Sequence, residues 1–450
     1  MKTLFAILRS RRRERLDPLL SNFQEFIREE GGGGILLLLA ALAALLWANS
    51  AWHETYETLW STPFSIGLGD SSLTKPLHFW INDGLMAIFF FVVGLEIKRE
   101  FLAGELSKPR QALFPILAAL GGMLVPAIIY TAINYGGPGA AGWAIPVATD
   151  IAFALGVLSL LGKRAPFALK VFLTAVAIVD DIGAVLVIAL FYSHDLVWSS
   201  LLMAGILLIV LFMLNRFSVR SPLPYVLLGI CLWLAVLQSG VHATIAGILL
   251  AATIPANPRV NSENFLRRSR NYLQRFEEAG EPGRNILTNG AQRSAIRALE
   301  EVAERASSPL QRLEHSLHPW VAYAIMPTFA LANAGVSLSG QSLGLLQPIG
   351  LGVFLGLVVG KQVGITLFAW LFTRLGVASR PRGLRWGHIY GVAWLAGIGF
   401  TMSIFITSLA LNDGFQVTSS KLAIMTASLV SAIGGVVVLY MMSRITRRTD

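Results

Sequence analysis

The run Phe167-Ala-Leu-Lys-Val-Phe-Leu-Thr-Ala-Val-Ala-Ile-Val-Asp180-Asp181-Ile-Gly-Ala-Val-Leu-Val-Ile-Ala-Leu-Phe191-Tyr192 places two adjacent carboxylates near the middle of an apolar segment. Crossing a hydrocarbon core of about 30 Å as a helix takes roughly 20 residues, and this run is long enough. A charge facing lipid at the centre of such a helix costs about 2.5 to 3.5 kcal/mol. The pair therefore belongs inside a bundle, beside something that neutralises it.

Similar runs fill the rest of the chain. Of its 450 residues, 54% are hydrophobic and only 14% charged, and the mean hydropathy of +0.63 is too high for a soluble protein of this size. Apolar runs begin near Gly34, Trp80, Leu113, Trp143, Phe167, Leu201, Tyr225, Val241, Trp320, Pro348, Ile389 and Leu422, which predicts an all-α membrane protein of twelve transmembrane helices. If the N-terminus is inside, all but four of the 36 Lys and Arg fall in inside segments. Lys75 and Lys421 lie outside, and Lys170 and Lys361 lie in spans. Cytoplasmic loops carry the Lys and Arg excess, so both termini are expected in the cytoplasm and the protein in a bacterial-type inner membrane.

The organisation follows. Residues 1–30 form a cytoplasmic segment in which Leu16, Leu19, Leu20, Phe23, Phe26 and Ile27 recur at helical spacing, the pattern of an amphipathic surface helix. The first nine residues are too short an apolar stretch for a signal-peptide core, so no cleavage is expected. Spans one to eight occupy 31–256, with a short hairpin expected around Phe64, Ile66 and Leu68. Residues 257–316 form a cytoplasmic connection of one or two surface helices, 317–444 hold spans nine to twelve, and 445–450 are a cytoplasmic tail. The single cysteine, Cys231, lies in a span, excludes an intramolecular disulfide and reads as a small buried apolar residue.

Two more charges interrupt apolar runs: Asp150 near the middle of Gly142 to Leu161, and Lys361 near the middle of Pro348 to Phe372. One Asp with one Lys reads equally well as a structural ion pair between spans. Three acids against one base cannot all pair in that way, so the set must take up protons or a metal cation to stay near neutral. Adjacent residues on a helix point about 100° apart, so Asp180 and Asp181 can serve different neighbours. Hard cations prefer oxygen ligands, and the carboxylates, the Thr149 hydroxyl and carbonyls freed where a helix breaks supply them. Breaks are expected in the fourth span, where Pro146 precedes Asp150 by four residues, and in the eleventh, where Gly397 and Gly399 precede Thr401. A cation entering such a site displaces protons, and protons displace the cation, which is antiport. Asp83 lies close to the outer end of the second span and is a weaker candidate.

Other functions fit less well. The net charge of +10 is spread over alternate loops instead of gathered on one face with aromatics, which argues against nucleic acid. No Cys/His cluster suits a transition metal, and no cofactor is expected beyond the transported Na+ or Li+ and H+. An intramembrane aspartyl protease also uses two buried aspartates, and Gly67-Leu68-Gly69-Asp70 has its look, but Asp70 falls in the polar hairpin. A cation symporter or channel remains the nearest alternative.

Four stretches carry a resemblance: Val93-Gly94-Leu95-Glu96-Ile97-Lys98-Arg99-Glu100, Ala148-Thr149-Asp150-Ile151-Ala152-Phe153, Val179-Asp180-Asp181-Ile182-Gly183-Ala184 and Gly399-Phe400-Thr401-Met402-Ser403-Ile404-Phe405. In this order they resemble the NhaA-type sodium/proton antiporters. The resemblance implies a sodium and proton site at Asp180 and Asp181, with Asp150 and Thr149 beside it and Lys361 pairing with Asp180. It implies two inverted repeats, the third to fifth and tenth to twelfth spans, whose broken fourth and eleventh helices cross at the site. It also implies alternating access, a homodimer joined through the hairpin, and a pH-responsive cluster at Glu96, Arg99, Glu100, Glu314, His315 and His318. The long Arg259 to Arg312 connection departs from that family's pattern.

Overall fold

The computed structural model describes residues 32–446, apart from 69–70, 194, 258–261, 281–285 and 338–343. The expected amphipathic segment 1–30, the Gly69-Asp70 dipeptide and residues 447–450 of the tail lie outside the described residues.

The described chain is an all-α membrane protein apart from one antiparallel hairpin, Pro63–Leu68 with Ser71–Pro76, in which Pro63 pairs with Pro76 and Leu68 with Ser71. Among the described residues, seven helices are long and apolar enough to cross a membrane: Leu77–Ala103, Pro109–Ile133, Ala140–Ser159, Phe167–Phe191, Trp198–Arg216, Pro348–Arg374 and Gly414–Arg444. Two bent pairs raise the number to nine, Gly32–Ala48 with His53–Ser61 (114°) and Trp386–Ala396 with Phe400–Ala410 (46°). Two of the three other expected spans are shorter than the sequence suggests. Pro222–Leu237 is apolar but short. The run from Val241 is helical only over Ile245–Thr253, because the chain turns through left-handed Gly240 (φ 81°) first. The run from Trp320 is a π turn, Val321–Ile325, followed by Met326–Asn333.

The chain forms two compact units, residues 1–89, 100–195 and 320–450 in one and 90–99 and 196–319 in the other. In the first, Lys361–Arg374 packs along Pro109–Ile133. Glycine makes that approach feasible, since a Cβ on Gly364 would come within 2.6 Å of the Gly121 carbonyl carbon. A π turn, Gly356–Gly360, precedes Lys361, and a Cβ on Gly356 would lie 2.6 Å from Pro146 Cβ. The extra residue in that turn re-aims the helix just where its lysine begins. Buried rings fill the rest, among them Phe114 on Phe172 (5.4 Å between centroids) and Phe329 on Phe405 (6.2 Å).

The second unit centres on Leu95, Leu211, Tyr225, Leu232, Ala246 and Ala251. Lys98 caps the end of Ile245–Thr253, donating from Nζ to the carbonyls of Ala252 and Ile254, both at 2.6 Å. Its connection contains the helices Ser262–Glu278 and Gly290–Ala306, which pack on one another. Cys231 is exposed on Pro222–Leu237, so the reading of a buried small residue does not hold. Apolar residues on a lipid-facing helix need no partner inside the protein.

Candidate functional site

Four segments of the first unit meet at a buried polar cluster. Phe167–Phe191 supplies Asp180 and Asp181, which are 0% and 1% exposed. Lys361 is also 0% exposed, and its Nζ donates to Asp180 Oδ2 at 2.5 Å. A buried charge pair of this geometry satisfies both partners only in part, because an ammonium has three N–H donors. Asp180 Oδ1 has no hydrogen-bond partner among the described residues, which leaves one carboxylate oxygen open to a proton or a cation.

The other two segments are interruptions in helical runs. Ala140–Val147 is 3-10 helix, and regular helix resumes at Ile151–Ser159. Between them, extended backbone presents Thr149 and Asp150. Thr149 Oγ1 lies 2.7 Å from Asp180 Oδ2 and 2.9 Å from the Ala396 carbonyl, two acceptors for its single proton. Asp150 caps Ile151–Ser159, Oδ1 accepting from Phe153 N–H at 3.0 Å. Its Oδ2 accepts from Thr401 N–H at 3.1 Å and from the Thr401 hydroxyl.

Thr401 opens the helix Phe400–Ala410, on the far side of the second interruption. One carboxylate therefore sits at two helix N-termini, where unpaired N–H groups and the helix dipoles favour negative charge. The interruptions also bond directly, Asp150 N–H donating to the Ile398 carbonyl at 2.7 Å. Ser403 Oγ donates to the Ile145 carbonyl at 2.8 Å, and Ser428 Oγ accepts from Phe400 N–H at 3.2 Å. Several backbone groups that a straight helix would satisfy internally are thus met by neighbours, as a hydrocarbon surrounding demands.

Each residue singled out for ion and proton binding is buried in the first unit, and Thr149, Asp150, Asp180 and Lys361 are joined in hydrogen-bond networks around the interruptions. Asp181 follows Asp180 on the same helix. Thr401, Ser403 and Ser428 and the carbonyls of Ala396 and Ile398 join them without having been singled out as site residues. The signal that could have found them is the pair of glycines before Thr401 in an otherwise apolar run. Asp83 lies apart in the π turn Trp80–Leu85.

Of the expected pH-responsive residues, Arg99 Nε bonds to Glu314 Oε1 at 3.0 Å, and Arg99 NH2 lies 4.0 Å from Glu96 Oε1. These three belong to the second unit, as do His315 and His318, which are exposed and form no hydrogen bond or ion pair among the described residues. Glu100 belongs to the first unit. No three His, Cys, Asp or Glu side chains among the described residues converge as a metal-holding group. The donors at the interruptions are carboxylate, hydroxyl and carbonyl oxygens, which suit a hard cation held as cargo.

Comparison with known proteins bears on this cluster. The sequence model of a family described as Na+/H+ antiporter 1 matches residues 24–439. The chain is 52% identical to the Na+/H+ antiporter NhaA of Oleidesulfovibrio alaskensis over 96% of each protein. It is 49% identical to the NhaA of Koribacter versatilis, over 94% of this chain and 92% of that protein. Against NhaA 2 of Syntrophotalea carbinolica it is 49% identical over 93% of this chain and 95% of that protein.

Proposed function

The chain belongs to the Na+/H+ antiporter 1 family, and from that premise we propose that it is a secondary antiporter exchanging Na+ or Li+ for H+ at Asp180 and Asp181. The observation that carries the reading is the Lys361–Asp180–Thr149 cluster, fully buried, with a second carboxylate adjacent and one oxygen of Asp180 open. Two protons cancel the excess of two negative charges and one monovalent cation offsets half of it, and protons and cation cannot occupy the same carboxylates together. Competition of this kind couples the fluxes without any cofactor, and an exchange of two protons for one monovalent cation moves charge.

The mechanism is alternating access. Of twelve crossings, two sets of three form the inverted repeats, the third to fifth and the tenth to twelfth, and the interruptions at Thr149–Asp150 and Gly397–Gly399 are the crossing breaks of the fourth and eleventh. Asp150 holds the two helix N-termini together and Thr149 joins Asp180 to the end of Trp386–Ala396. Movement of one repeat opens the site to either side in turn. The protein resides in the inner membrane with both termini cytoplasmic, as the Lys and Arg distribution supports. Glu96, Arg99, Glu100, Glu314, His315 and His318 respond to cytoplasmic pH, and the hairpin Pro63–Pro76 joins two copies into a dimer. A symporter or channel would use similar oxygens, but neither requires the excess of carboxylates over Lys361.

The test is to add Na+, Li+ or K+ to acidified everted vesicles that contain the protein. Collapse of the pH gradient with Na+ or Li+ supports exchange. A gradient untouched by every cation, at verified expression, refutes it.

A further inference from the structure

The helix Lys361–Arg374 has three distinct faces. Val363, Leu367, Trp370 and Leu371 are 37% to 46% exposed and form its apolar outer side. Gly364 and Phe368 meet Gly121 on Pro109–Ile133. The third face carries Gln362, Thr366, Ala369 and Thr373, spaced four, three and four residues apart, which is one stripe along a helix. It starts beside Lys361 and ends beside Arg374.

At its Lys361 end this stripe carries buried polar atoms that are unsatisfied. Gln362 is 7% exposed, and its Nε2 has no hydrogen-bond partner among the described residues. The buried Thr366 Oγ1, one turn on, has none either. At the start of the stripe, the Lys361 ammonium makes a single hydrogen bond among the described residues, to Asp180, and so has two N–H donors to spare in a place with no exposure. Thr373 closes the stripe by donating to the Ala369 carbonyl at 2.6 Å. Buried polar groups are almost always hydrogen-bonded. A succession of unmet donors along one face is what internal water satisfies, each molecule bridging two to four polar groups.

We propose that this stripe is a water-lined proton route from the Arg374 end of the helix to the Lys361–Asp180 pair, with Gln362 and Thr366 positioning the water. The proposal rests on the antiport reading. A proton passed along the water protonates the Asp180 carboxylate, which becomes a neutral acid and releases Lys361. The donating water regains a proton from the next molecule outward, so one proton is taken up at the Arg374 end. The cation never needs this path, so proton supply and cation access can be altered separately.

Two measurements decide it. In a Cys231→Ser background, Thr366→Cys and Thr373→Cys are treated with the small cationic reagent 2-aminoethyl methanethiosulfonate, with Val363→Cys as the apolar-face control. Modification at both stripe positions at least about tenfold faster than at 363 is expected, because only a thiol that water reaches ionises. Modification no faster than at 363 overturns the proposal. In everted vesicles, Gln362→Leu should lower the maximum exchange rate by about tenfold, less than the loss of a directly acting acid or base. Its apparent sodium affinity should be unchanged and its rate ratio in H2O over D2O raised, while Gln362→Asn keeps most of the wild-type rate. An unchanged maximum rate and isotope ratio in Gln362→Leu overturns the proton route while normal wild-type exchange leaves antiport standing. Absence of sodium-driven proton movement in the wild type overturns both.

Discussion

Between Val147 and Ile151 the chain presents side chains to the site, whereas between Ala396 and Phe400 it presents backbone. The first interruption contributes the Thr149 hydroxyl and the Asp150 carboxylate. The second contributes the carbonyls of Ala396 and Ile398, and Thr401 just beyond it adds its amide and its hydroxyl, the one side chain on that side to reach Asp150 among the described residues. The chemistry explains the division. Charge is needed once, where two helix N-termini converge, and the remaining groups need only polar partners. The first interruption should therefore be sensitive to substitutions that remove charge, and the second to substitutions that change backbone fit.

The scale for this comparison is set by the carboxylates beside the interruptions. Asp180→Asn and Asp181→Asn should each abolish nearly all exchange while the protein still inserts, because an amide neither takes the proton nor offsets a cation. The measurement is sodium-driven collapse of a pH gradient at matched expression, and wild-type exchange in either variant would remove the assignment.

Lys361→Ala should come next. Breaking a buried pair by removing one partner costs about 3 to 5 kcal/mol, so its melting temperature should fall and its pH dependence change. Adding Asp180→Asn should restore much of that stability, since the orphaned charge goes with it. A strictly additive double variant would show that the two residues do not act as a pair.

Asp150→Asn keeps the shape of the first interruption and removes its charge. Hydrogen bonds to charged groups contribute about 1.5 to 3 kcal/mol each, so a loss of about 3 kcal/mol is expected across the bonds to Phe153 and Thr401. Gly399→Ala probes the second interruption, where a Cβ would clash with Ser403 Oγ and lie 3.0 Å from Leu357 Cδ2 and 3.1 Å from the Ala148 carbonyl oxygen. Overpacking of this kind costs about 1 to 3 kcal/mol. Ser403→Ala, which removes only the bond to Ile145, should cost about 1 kcal/mol and leave exchange nearly intact. Thermal unfolding in detergent gives the order, and Gly399→Ala matching wild type while Ser403→Ala collapses would invert the comparison.

That asymmetry also explains what could be read from the sequence. Asp150, Asp180, Asp181 and Lys361 stand out because a charge in an apolar run carries a visible insertion cost. Thr401, Ser403 and Ser428 carry no such cost, since a hydroxyl can satisfy itself on its own helix. Carbonyls such as Ala396 O are present at every residue, and only the fold decides which are left open. Long apolar helices such as Phe167–Phe191 are legible from their length. Ile245–Thr253 is not, because the span read from Val241 begins with Val241-His242-Ala243-Thr244, which follow the turn at Gly240 and stay outside the helix. The π turn before Lys361 was likewise invisible, since glycines in a membrane helix read equally well as close packing.

The central claim is that cation and proton compete for the same buried carboxylates, and the sodium dependence of exchange at several pH values, with equal pH on both sides of the membrane, tests it most directly. One displaced proton weakens apparent sodium affinity by about tenfold per pH unit in the acid range and two by up to about a hundredfold, with each unit worth about 1.36 kcal/mol. Saturating sodium should then recover most of the acid-side rate. An apparent affinity that does not move with pH would contradict shared carboxylates.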